Sequence, residues 1–251
     1  MKTEFKILNI EEEQKLNRKE LKEYYINLRN YLAERKLTNT SFGATTIAPR
    51  LNNINEYLSK LGIKMLNGER VYIACDGLED IPTERVLFVH TSKNMLDSLI
   101  TNIINDRHCI SINDKEENEL LLLCQLTNGL ISIDKNDETN KNNAKLDAIR
   151  LLLEGKSISY FIKGDKKDYD FLEIAQKAGV AIIPVVYECK YNTSYANDTI
   201  KEIHSLYGSP IYVEEYDNIY KKIKEYENII FTMNQELLKS TNLKRKKVLS
   251  N

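Results

Sequence analysis

Residues 157–186 read SISYFIKGDKKDYDFLEIAQKAGVAIIPVV. The runs at 157–162 and 180–186 are short and apolar, as buried strands are. Residues 171–178 between them carry helical spacing and stop at Gly179. Strand, helix, strand in succession predicts a unit of parallel sheet.

The same alternation continues outward. Upstream, strands are expected at 71–74 and 86–89, separated by an Asp76–Gly77 turn signal and by Pro82. A helix-like stretch follows at 95–105, a strand at 109–112, a helix at 116–126 and a strand at 130–133. The helix expected at 139–154 ends at Gly155. Downstream, a late strand at 210–213 precedes a long helix at 218–239. Nearer the N-terminus, 11–36 reads as one charged helix with a stripe of Leu16, Leu21, Tyr24, Leu28 and Leu32. A second amphipathic segment, 46–61, carries Ile47, Leu51, Ile54, Leu58 and Leu61, with Pro49 suited to a first turn. The fold class expected is α/β: a mainly parallel sheet flanked by helices, with an N-terminal helical region at 1–65, the α/β domain at 66–240 and a basic tail at 241–251.

The net charge of −1 supplies no global field for nucleic acid. No run approaches the roughly 18–20 apolar residues that span a bilayer. The opening MKTEFKILNIEEEQ lacks the apolar core of a signal peptide. A cytoplasmic protein is expected, with attachment to the inner face of a membrane left open. Cys75, Cys109, Cys124 and Cys189 lie far apart and form no CxxC pair, so they read as reduced thiols. No Walker loop, Gly-x-Gly-x-x-Gly, Gly-x-Ser-x-Gly or paired metal-ligand motif occurs, so no metal and no cofactor are expected. The stretch 239–251, KSTNLKRKKVLSN, holds five basic residues and no acid. It reads either as a contact for anionic headgroups or as a frayed, solvated tail.

In α/β sheets, function collects where strands end and helices begin. Three junctions qualify: 89–97, 133–141 and 162–170. The segments there are VLFVHTSKNMLDSLI (86–100), NGLISIDKND (128–137) and YFIKGD (160–165), followed by VAIIPVVYE (180–188). Their order and spacing resemble the four motifs of the lysophospholipid and glycerol-3-phosphate acyltransferase family. The resemblance covers about residues 37–215, including LTNTSFGATTIAPRL at 37–51. It implies a His-x4-Asp pair in which His is general base for an acceptor hydroxyl and Asp orients it. Asp97 fits the second position, but Ser92 stands five residues before it, and His90 lies two earlier. A shifted alignment makes His90 the motif histidine and puts Met95 where Asp belongs. Lys135 occupies the family's phosphate-binding Arg position. Phe161 and Gly164 match the third motif, whose Glu is replaced by Lys163, and Pro184 matches the fourth.

These departures have chemical meaning. A serine hydroxyl has no lone pair basic enough to take a proton from another hydroxyl near neutral pH. Asp97 without a histidine partner reads as a carboxylate at a helix start. His90 is either a displaced base or a histidine satisfied at a strand end. Lys163 and Lys135, with Lys166 and Lys167, form either an anion-binding rim or a solvated loop interleaved with Asp165, Asp168 and Asp170. His108 and His204 have no carboxylate pattern around them. Three readings follow. The leading one is a degenerate member of the family, impaired in His–Asp transfer and retaining lipid, acyl-chain or partner binding. The second is an active O-acyltransferase that uses His90 to move an acyl group from a CoA or carrier-protein thioester to a lysolipid or other hydroxyl acceptor. The third is an interaction protein that uses only its long helices.

Overall fold

The computed structural model describes residues 5–41, 72–92, 109–114, 129–134, 136–163, 168–194 and 197–249. Eight strands form one sheet: β1 (Thr40–Ser41), β2 (Tyr72–Asp76), β3 (Val86–Ser92), β4 (Cys109–Asp114), β5 (Leu130–Ile133), β6 (Ser157–Lys163), β7 (Ala181–Ser194) and β8 (Asn197–Tyr207). Their order across it is β1-β5-β4-β6-β3-β7-β8-β2. The central five, β5 to β7 in that order, are mutually parallel. β1 closes one side antiparallel to β5. On the other side β8 runs antiparallel to β7, with β2 parallel to β8. The strands expected at 86–89, 130–133, 157–162 and 180–186 thus share one mostly parallel sheet.

Four expectations need correction. The single helix at 11–36 is two, α1 (Ile10–Glu13) and α2 (Arg18–Glu34). Asn17 breaks them apart: its extended backbone lets its side chain accept from the Lys19 and Glu20 amides while the Glu20 carboxylate returns to the Asn17 amide. The strand expected at 210–213 is a single antiparallel bridge, Ile211 to Ile182. The sheet instead gains β8, which the sequence reading did not foresee. The long helix expected at 218–239, labelled α5 (Ile219–Leu249), continues ten residues further. The helices expected at 46–61, 95–105 and 116–126 lie outside the described residues. No helix among the described residues is long and apolar enough to cross a membrane.

Strand alternation sends successive side chains to opposite faces. Leu87, Val89, Ile131, Ile158, Tyr160 and Ile182 meet a helical layer made by α2, α3 (Glu138–Leu153), α4 (Asp170–Ala178) and the start of α5. Val86, Phe88, Ile183, Val185, Tyr187 and Tyr207 form a second core on the other face. α3 and α4 stop just before Gly155 and Gly179, as the sequence predicts.

Two buried ion networks tie the N-terminal region to this layer. Lys177 on α4 is enclosed and pairs with Glu173 at 2.7 Å and Glu13 at 2.9 Å, and it donates to the Leu8 carbonyl at 3.2 Å. Tyr25 donates to Glu13 at 3.1 Å. Burial opposes all three charges. Glu13 is pushed up by it. Glu173 still lies below its ordinary range, because Lys177 and Lys145 outweigh burial, and Lys177 lies above its own, because Glu173 and Glu13 do. In the second network Asp147, buried on α3, pairs with Arg35. It also accepts from the Thr38 and Asn39 amides at 3.0 and 2.8 Å and from the Thr40 hydroxyl at 2.9 Å. That turn delivers β1 to the edge of β5.

Close backbone approach fixes the other side of the sheet. Gly77 follows β2 with φ +82°, and a Cβ there would fall 2.1 Å from the Tyr207 carbonyl oxygen. A Cβ on Gly208 would meet Pro184 Cγ at 2.8 Å and Met233 Sδ at 2.7 Å. Pro184 sits inside β7, where a missing N–H ordinarily breaks the ladder. Its carbonyl accepts from the Gly208 amide at 2.9 Å, one residue beyond the end of β8. The N–H and C=O of a strand residue point the same way, so the absent donor falls where the ladder is ending.

Gly77→Ala is expected to lower stability by about 1–3 kcal/mol, from the clash and the left-handed backbone together. Urea unfolding of the variant beside the wild type measures it. Lys177→Met leaves Glu13 and Glu173 facing each other in a buried site. Its expected cost is about 3–5 kcal/mol, with faster proteolytic cleavage near residues 5–17 as the local sign that α1 has come loose.

Candidate functional site

The three junctions lie at the same end of the parallel strands, because parallel strands finish on one side of the sheet. β3 ends at Ser92, β6 at Lys163, β4 at Asp114 and β5 at Ile133. In the β3–β6 register Ser92 is the direct partner of Lys163. Ser92 and Lys163 are therefore neighbours, on adjacent strands at one end of the sheet. Asp97, Lys135 and Gly164 lie outside the described residues.

His90 is two residues before the end of β3, on the face that carries Val86 and Phe88. Its direct partners are Phe161 on β6 and Val185 on β7. The imidazole lies against the Phe161 ring at 4.6 Å and 16° between planes, and against Tyr187 at 5.7 Å and 19°. Its Nδ1 shares a 2.6 Å hydrogen bond with the Tyr187 hydroxyl, whose direction the tautomer sets. Its exposure is 0%. Burial pushes its pKa down to about 3, so the ring is neutral at neutral pH.

Next along β3, Thr91 turns to the helical side. It meets the hydroxyl of Tyr226 on α5, whose ring packs against Phe171 at 4.7 Å with 55° between the planes. Burial pushes the Tyr226 phenol well above its ordinary range. On β6, Tyr160 donates to Asp168 at 3.0 Å, which anchors the chain just ahead of α4. His204, on β8, is buried and pairs in register with Glu188 on β7, two residues past Val186, the partner of Thr91. Cys75 is a half-buried free thiol. Among the described residues no group of three or more His, Cys, Asp or Glu is placed to hold a metal.

The sequence reading missed Tyr187 and the aromatic row Phe161–His90–Tyr187. Only the register reveals it: in the parallel pairing 161 faces 90, and 187 lies on the same face of β7 two residues past 185. What the row does chemically follows from its enclosure. A general base must come within hydrogen-bond reach of the hydroxyl it deprotonates. In this structure His90 is fully buried, with Nδ1 hydrogen-bonded to the Tyr187 hydroxyl.

The fold and this strand end define the class of the protein: an α/β protein with a mainly parallel sheet. No family model matches the sequence, and no curated protein matches it. Among solved structures, the chain is similar to the 1-acyl-sn-glycerophosphate (LPA) acyltransferase PlsC from Thermotoga maritima. The identity is 14%, the TM-score 0.48, and the match covers 88% of this chain and 85% of that one.

The enclosure of His90 has a measurable consequence. Below about pH 6.5 an unfolded chain takes up its proton, while the folded chain resists until about 3. Stability is therefore full above pH 6.5 and falls as pH drops from there toward 3, by at most about 1.4 kcal/mol per pH unit from this group. Urea unfolding of wild type and His90→Phe between about pH 7.5 and 5 is expected to show the steeper decline in the wild type.

Proposed function

We propose that this chain is a degenerate member of the phospholipid and glycerol acyltransferase family, impaired in His–Asp acyl transfer and retaining lipid, acyl-chain or partner binding. The pairing of Ser92 with Lys163 carries the reading. Two substitutions read independently from two motifs stand side by side at one strand end, as members of a single site would. In the proposal Asp97 is the orienting carboxylate left without its histidine. Lys135, Lys163 and Gly164 contact the phosphate of an acceptor. The ligands are an acyl-CoA or acyl-carrier-protein thioester and a lysolipid or related hydroxyl compound, met in the cytoplasm or at the inner face of an anionic membrane. The burial of His90 supports this reading over one in which His90 is the base. Loss of a positioned base costs roughly 10²–10⁴ in rate.

The test is a thiol-release assay on the full chain, with a panel of acyl thioesters and either a lysolipid or glycerol phosphate. Wild type is expected to release no thiol above background, while lipid extracted from the purified protein reports binding. Ser92→His with Lys163→Glu restores the family's residue types at both positions and is the variant in which a weak signal is expected. Robust wild-type turnover that survives Ser92→Ala and disappears in His90→Ala would overturn the proposal and make His90 the base.

A further inference from the structure

We draw no further inference here: the strongest candidate, the half-open cleft of about 630 Å³ between residues 7–12 and the outer faces of α3 and α4, has its charged lining ion-paired within the protein apart from the acidic Glu11 and Glu138, and an acidic pair with no second observation pointing to a ligand among the described residues names no occupant.

Discussion

The pairing of β3 between two parallel neighbours constrains everything else at the strand ends. Its register sets His90 opposite Phe161 and Val185 and Ser92 opposite Lys163. Because side chains alternate with period two, a slip of one residue would turn every β3 side chain to the other face. Val86 and Phe88 would then enter the helical layer, and Leu87 and Val89 would leave it. Both cores oppose that exchange, since β3 is buried on both faces from Val86 through His90. Hydrophobic burial far from the strand ends thus decides which polar residues become neighbours there.

The helical layer is placed more specifically than apolar contact alone requires. Lys177 and Asp147 are fully buried, and a buried ion pair is weak evidence for stability because desolvation offsets much of its attraction. Their value lies in position. Lys177 accepts only a geometry that brings Glu13 and the Leu8 carbonyl onto α4. Asp147 accepts only one in which residues 35–40 turn toward β5. A displaced N-terminal segment would leave Asp147 without Arg35 and Lys177 with Glu173 alone. That penalty falls on misdocked states and leaves the docked one favoured.

How legible these features were in the sequence depends on the kind of signal each element carries. The parallel strands β3, β5, β6 and β7 are continuous apolar runs bounded by Gly or polar clusters, which is how strands buried on both faces read. β8, NDTIKEIHSLY, is polar over much of its length, and its antiparallel ladder with β7 depends on a partner rather than on its own composition. The break at Asn17 was readable as Asn-x-x-Glu, but the stripe from Leu16 to Leu32 is continuous enough to hide it. At the candidate site the sequence supplied the residue types at 90, 92 and 163. It could not supply the aromatic row, because Tyr187 joins His90 only through register across two strands.

That row shows how an imidazole near a strand end can be packed within the sheet. Enclosed between Phe161 and Tyr187, with Nδ1 engaged by a phenol, His90 is a flat neutral side chain within the sheet. Each feature that suits it to this place works against proton transfer. Burial lowers its pKa far below the range useful to a base at neutral pH, and stacking fixes the ring within the sheet. A base at a strand end needs access to the acceptor. The chain keeps the parallel scaffold because its two cores, and not its strand ends, supply the stability. Polar residues at positions 92 and 163 can therefore change without disturbing the sheet, and the identity of those residues becomes a question of chemistry alone.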